Sequence, residues 1–250
     1  MYTKVKTPEE ISSMRESGRQ LATVLDYLKQ NIQPGITTKD ISKLAEKKLK
    51  ELGGKPAFLG YYGFPDIICI SVNEEVVHGI PGRKVINQGD ILSLDFGVSI
   101  NGMITDSAIS VVVGTTKSNE VSNLVKTTEE AMHAGIKVAK NGVRVGVIAN
   151  SIENVLKRQQ LGIVRDLVGH GVGHELHEEP NIPNYGSRES GPTLRSGMTI
   201  AIEPMATLGD FKVETTSDGW TIVTKDRSLS AHFEHTILIT DDGAEILTKI

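Results

Sequence analysis

Residues 91–114 read ILSLDFGVSINGMITDSAISVVVG, and the fold of this stretch decides how the rest is read. Two β-rich runs flank Asn101-Gly102. That pair tolerates positive φ at both centres of a two-residue turn, so the stretch predicts a hairpin. Closing it there sets Ile100 opposite Met103, Ser99 opposite Ile104, Gly97 opposite Asp106 and Asp95 opposite Ala108. Side chains alternate along a strand. One face therefore carries Ser93, Asp95, Gly97, Asp106, Ala108 and Ser110, and the other Leu92, Leu94, Phe96, Val98, Ile109 and Val111. Asp95 and Asp106 become diagonal neighbours with α-carbons roughly 7–8 Å apart, and Gly97 is expected to leave room beside them. Two carboxylates so placed repel unless a proton or cation lies between them. The plain alternative is the solvent-facing polar side of an edge hairpin, and the hairpin alone does not choose.

The chain has 250 residues, 38% hydrophobic and 23% charged, with a net charge of -4. That balance gives no global electrostatic case for nucleic acid or membrane. A lone cysteine, Cys69, excludes an internal disulfide and suits a reducing compartment. No apolar run approaches the ~18 residues of a membrane helix. The N-terminal MYTKVKTPEEISSM lacks an apolar signal region, and its acids oppose a transit peptide. Cytoplasmic localisation is the expectation.

Working outward, Thr7-Pro8-Glu9-Glu10 is a helix start, with a capping Thr, Pro at the first position and acids at the positive dipole end. Ile11, Met14, Leu21, Val24, Leu25 and Leu28 follow at helical spacing up to Pro34-Gly35. Thr37 or Thr38 caps a second helix, with Ile41, Leu44, Ala45 and Leu49 as its stripe and Gly53-Gly54 as its end. A Gly- and aromatic-rich run, 58–65, leads to a strand over 67–72 and a loop over 73–81 holding His78. Beyond the hairpin, Ser118 or Asn119 opens a helix to about Ala139, and another runs to Gln160. Strands are predicted over 164–169, 198–202, 211–216, 220–224 and 233–240. Helix-helix-strands twice over indicates an α+β duplication, about 1–115 and 116–250, within a single domain spanning 1–250.

Chemistry gathers at five places. The run 169–180, GHGVGHELHEEP, puts His170, His174 and His177 at helical spacing, but Gly171, Gly173 and Pro180 favour a loop presenting His170 and His177. The zinc-protease pattern His-Glu-x-x-His is absent. Glu203 ends an apolar run, where an unpaired acid is unexpected. Glu234 begins the last strand, on one face with His232 and Thr236 if the strand alternates. Asp95, Asp106, His170, Glu203 and Glu234 together are too acidic for a structural zinc site. They suit two harder divalent cations about 3.5–4 Å apart.

The segments VHGIP (77–81), LDFG (94–97), TD (105–106), GHGVG (169–173), LHEEP (176–180), IEPM (202–205) and FEHT (233–236) resemble the signature motifs of the methionine aminopeptidases, in that family's order, across about residues 7–245. The short span between His177 and Glu203 resembles the bacterial type I form, and an N-terminal zinc-finger extension is not expected. The resemblance implies the pita-bread fold, with a dimetal site between the halves, and a monomer. It also implies two divalent metal ions per chain (Co, Mn, Fe or Zn), held by Asp95, Asp106, His170, Glu203 and Glu234. The implied reaction removes N-terminal methionine from nascent peptides, preferring a small second residue. Glu203 would move the water's proton, His177 would donate to the developing oxyanion, and His78 would contact the scissile amide or the next backbone unit. Tyr61, Phe64, Cys69, Leu176 and Trp220 would line the methionine slot, although ordinary core packing would also account for them. Leu176 departs from an aromatic common at that position, and Tyr62 from a histidine; both bear on substrate fit.

Two other readings stand beside this one: a binding module that kept the fold without activity, and a dimetal X-prolyl dipeptidase. Finally, Lys39, Lys43, Lys47 and Lys50 lie on one side of the second helix, near Lys48 and Lys55. A solvated helix face explains them; weak association with phosphate-rich ribosome surface is the functional alternative.

Overall fold

The computed structural model describes residues 4–116 and 118–250. Helix α1 (Pro8–Asn31) opens on a reciprocal box: the Thr7 hydroxyl accepts the Glu10 N–H while the Glu10 carboxylate accepts the Thr7 N–H. Helix α2 (Thr38–Leu52) starts at Thr37 and ends on Gly53, whose φ of 82° suits glycine. The first half continues through β1 (Lys55–Pro56), β2 (Ile68–Val72), β3 (Glu75–Val77), β4 (Ile91–Ile100) and β5 (Met103–Val112). The second half opens with α3 (Asn119–Val138) and α4 (Val145–Arg158). Then follow β6 (Gly162–Ile163), β7 (Gly169–Gly171), β8 (Glu178–Ile182), β9 (Thr199–Ile202), β10 (Met205–Thr207), β11 (Val213–Thr215), β12 (Ile222–Thr224), β13 (Ser230–His232), β14 (Glu234–Ile239) and β15 (Ala244–Ile246).

The main sheet runs β1-β4-β5-β14-β9-β7-β8, with β2 also on β4 and β15 on β14; β13-β10-β6 and β11-β12-β3 form two small sheets. The β4–β5 ladder runs unbroken from Ile91↔Val112 to Ile100↔Met103, in the register the Asn101-Gly102 turn dictates. It is no edge hairpin. Strands β1 and β2 flank it on one side and β14 on the other, and both aspartates are buried. Nor does Gly97 leave empty space: a Cβ there would lie 2.6 Å from the Phe58 ring, which fills the gap.

Helices cover one face of the sheet. In the first half Leu21, Val24, Leu28 and Ile41 pack against Ile68, Ile70, Leu92, Leu94 and Phe96. In the second, Leu124, Met132, Ile148 and Ile152 pack against Ile200, Ile202, Ile237 and Ile239. Phe96 is fully buried, so Phe96→Ala would cost about 3–5 kcal/mol. The opposite face is left for chemistry.

The duplication is visible in the hydrogen bonds. Gly35 and Gly142, both at positive φ, donate to the Ile86 and Leu194 carbonyls, and Thr38 and Val145 donate to Lys84 and Pro192. Gly89 and Gly197, each at φ 86°, turn the chain into β4 and β9. Asp95 and Glu203 lie equally far beyond those two glycines.

Several strand expectations are corrected. No strand spans 164–169; the backbone leaves the sheet between β6 and β7, because short strands here pair with distant partners (Ile163↔Ala206, Gly171↔Ile200). The 73–81 loop contains β3, which pairs with β12. The 211–216, 220–224 and 233–240 strands shorten to β11, β12 and β14, and a separate short strand, β13, precedes Phe233. Strands β1, β6, β8, β10 and β15 have no counterpart in the sequence reading.

Candidate active site and metal centre

Register brings the acids together. Cys69 pairs with Asp95, Asp95 with Ala108, and Ala108 with Glu234, so these four positions form one row across β2, β4, β5 and β14. Asp106 stands two residues from Ala108 on the same face. Strand β9 pairs Ile202 with His235, which delivers Glu203 beside Glu234. His170 lies on β7 rather than in the loop expected for it. Asp106, His170 and Glu234 each offer a ligand atom within 4.8 Å of the other two. His170 Nε2 is 3.4 Å from Glu203 Oε1, and His232 Nε2 is 3.5 Å from Glu203 Oε2.

Hydrogen bonds from the flanks fix this geometry. The Thr236 hydroxyl donates to the Asp106 carbonyl and accepts the Asp106 N–H, and the Ser107 hydroxyl donates to the Glu234 carbonyl. His170 Nδ1 lies 2.9 Å from the Gly171 carbonyl. A carbonyl only accepts, so Nδ1 carries the proton and the Nε2 lone pair faces the acids.

Among the described residues no lysine or arginine lines the cavity to supply a countercharge. Asp95 Oδ1, Asp106 Oδ1 and Glu234 Oε1 are buried without a hydrogen-bond partner there. Burial pushes Asp95 up to about 7, with Glu203 adding to the rise and His232 opposing it. Burial likewise raises Glu203 to about 8. Asp106 and Glu234 are driven well above the usual carboxylate range by burial and then by the neighbouring acids. His170 falls to about 3, through burial and then His177. Buried orphan oxygens, converging acids and a neutral imidazole fit divalent cations.

The acids close one end of a cavity of ≈ 250 Å³. The cavity brings together every site residue named from the sequence: His78, His177, Tyr61, Phe64, Cys69, Leu176 and Trp220 lie with the five acids-and-imidazole positions. Phe58, Phe64, Cys69 and Leu176 form an apolar cluster with Tyr61 and Trp220 against it. The Tyr61 hydroxyl is 2.8 Å from His177 Nδ1, and burial, then Tyr62, pushes that phenol up to about 12. A neutral hydroxyl can donate or accept, so this contact accommodates a His177 tautomer with its proton on Nε2. Burial also lowers the His177 pKa and raises the Cys69 thiol. His78 sits at φ 59°, a conformation that costs a non-glycine residue roughly 1–3 kcal/mol. Gly79 behind it packs so tightly that a Cβ would strike the Ile70 carbonyl.

Sequence reasoning gave no site role to Phe58, Val77, Leu167, Val168 and Met205, which line the cavity, or to His232 beside Glu203. Phe58 belongs to the aromatic run at 58–65, but only the tertiary approach to Gly97 marks it. Alternation places His232 on one face with Glu234, and both are buried, but residue type alone gave it no role. The lysine row on α2 is partly engaged: Lys39 lies 2.6 Å from Asp66 and Lys43 3.4 Å from Asp40, whereas Lys47 and Lys50 are exposed.

The profile of metallopeptidase family M24 matches residues 12–241. Methionine aminopeptidase 1 of Bacillus subtilis is 47% identical over 245 residues, covering 98% of each chain. A methionine aminopeptidase of Clostridium perfringens is 44% identical over 246 residues, again with 98% of each covered. The crystal structure of a methionine aminopeptidase from Thermotoga maritima superimposes with a TM-score of 0.97 at 47% identity, covering 99% of this chain and 100% of that one.

Proposed function

The chain belongs to metallopeptidase family M24 and has methionine aminopeptidase function, and on that premise we propose how the work is divided within its cavity. Asp95, Asp106, His170, Glu203 and Glu234 are the metal ligands. Their mixed oxygen and nitrogen donors suit two divalent ions, drawn from cobalt, manganese, iron or zinc. Such ions, when bound, lower the pKa of a water and polarise a peptide carbonyl.

The remaining steps belong to side chains. Glu203 takes the proton from the attacking water and passes it to the leaving amine. His177 donates from Nε2 to the oxygen of the scissile carbonyl as charge builds there; the Tyr61 contact at Nδ1 is compatible with that tautomer. His78 steers the scissile amide or the following backbone unit. Tyr61, Phe64, Cys69, Leu176 and Trp220 receive the methionine side chain, and sulfur–aromatic contacts favour a thioether over plain alkyl. A small second residue is preferred, the protein acts as a cytoplasmic monomer on nascent peptides, and the exposed part of the lysine row gives weak, salt-sensitive contact with ribosomes.

The observation that carries this reading is the meeting, in one cavity, of an acid cluster that no described lysine or arginine enters and an apolar aromatic pocket. Turnover of Met-Ala-Ser against an Xaa-Pro peptide tests it. Cleavage of the first alone is expected; cleavage of the second alone would assign a prolyl peptidase, and cleavage of neither by metal-loaded protein a binding module.

A further inference from the structure

His177 and Leu176 sit in the turn between β7 and β8, which is held from beneath. One oxygen of the Glu178 carboxylate accepts the N–H groups of His174 and Glu175, at 2.7 and 3.2 Å. The other lies 2.8 Å from Lys6 Nζ. Lys6 precedes α1 in sequence, its side chain is 0% exposed, and that of Glu178 is 11% exposed. The Lys6 N–H bonds the Gly197 carbonyl, which ties this N-terminal segment to the turn entering β9. Its aliphatic stem crosses Gly173 so closely that a Cβ at Gly173 would strike Lys6 Cε. His174 Nε2 lies 2.7 Å from Glu10 Oε1, a second tie from the start of α1 to the same turn. The Gly173 carbonyl in turn accepts the Ile104 N–H of β5.

We propose that Lys6 is a positioning residue for the reaction: through Glu178 it fixes the backbone of the turn that aims His177 at the scissile carbonyl. The inference rests on the role given to His177 above. Removing the ammonium takes from the Glu178 carboxylate its 2.8 Å charged partner, and the carboxylate shifts in response. Glu178 Oε1 then no longer holds the His174 and Glu175 amides in place. A catalytic donor displaced by about 1 Å can lose a hundredfold in rate.

A double-mutant cycle on kcat with a methionyl tripeptide tests this, using Lys6→Met, His177→Ala and the pair, each with bound metal and melting point measured. Lys6→Met is expected to lower kcat by roughly ten- to a hundredfold. In the His177→Ala background it should cost less than about twofold, since it acts through a group already gone. Hydrogen exchange at the His174 and Glu175 amides should quicken in Lys6→Met. Wild-type kcat in Lys6→Met, or the same loss in both backgrounds, would overturn the proposal. If His177→Ala alone keeps full kcat, the role of His177 is wrong, and unchanged exchange at the two amides would separately sink the hold by Lys6. Should Lys6→Met not fold, Lys6→Met/Glu178→Gln carries the same cycle with the charge of both partners removed.

Discussion

At one end of the cavity Asp95, Asp106, Glu203 and Glu234 converge, and no lysine or arginine among the described residues enters the space between them. At the other end Phe58, Phe64, Cys69 and Leu176 pack as an apolar cluster, with Trp220 against it. The scaffold imposes the first arrangement: ladder register and the Thr236 and Ser107 hydroxyls hold acids where their own repulsion would part them. The second arrangement is self-supporting, because burying those side chains is itself favourable. Substitutions at the two ends should therefore act with opposite signs on stability, and their effects on turnover should differ in scale.

The largest effect is expected from Asp106→Asn. It should lower turnover by roughly 10³-fold or more, the scale of losing a principal charge-stabilising group. The chelated variant should melt no lower than chelated wild type, since one of four converging buried acids has been removed. A marked drop in melting point would mean the acids support the fold and would erase the contrast.

His177→Ala comes next. With its oxyanion donor gone, kcat should fall by roughly 10²–10³ while bound metal stays near normal. Loss of metal with unchanged turnover per metal would move His177 into the ligand set.

A smaller effect is one of pH. Without metal, Asp95 and Glu203 stand at about 7 and about 8, above the ordinary 3.8 and 4.5. An acid raised by folding binds more protons folded than unfolded, so its contribution falls as pH climbs from the ordinary value through the raised one. His170 and His78 are lowered from 6.5 to about 3 and about 4. Their contribution is lost as pH drops below 6.5 and is complete above it. From pH 6.5 to 8 the acids of these two sets act alone, so the melting point of chelated protein should fall across that window. Divalent metal should flatten the fall. A rise in the chelated protein would contradict the strain assigned to the acidic end.

The smallest effect belongs to the apolar end. Leu176→Phe should leave methionine preferred and change its ratio to norleucine by less than about tenfold, in the sharper direction. A broadened preference would mean that the Leu176 side chain does not govern the slot.

The same contrast explains what the sequence made legible. Asp95 and Asp106 lie on one hairpin whose turn, Asn101-Gly102, fixes every pairing from within. His170 and Glu234 lie on short strands joined to remote partners, as in Gly171↔Ile200 and His235↔Ile202, and Glu203 directly follows another, β9. Their chemistry was readable from residue type and resemblance, but their supports were not. Strand β7 has three residues, two of them glycine, too short for alternation to register. Phe58 was hidden because its partner is the absence of a side chain at Gly97. Lys6 was hidden because its partner lies in the other half of the chain.

The most direct test is to strip the protein with chelator, verify the metal content, and titrate in manganese while following both binding heat and hydrolysis of Met-Ala-Ser. Turnover that is lost on stripping and returns in step with binding, in wild type but not in Asp106→Asn, is the expected result. Full turnover by verified metal-free protein would contradict the assignment of Asp95, Asp106, His170, Glu203 and Glu234 as a metal centre.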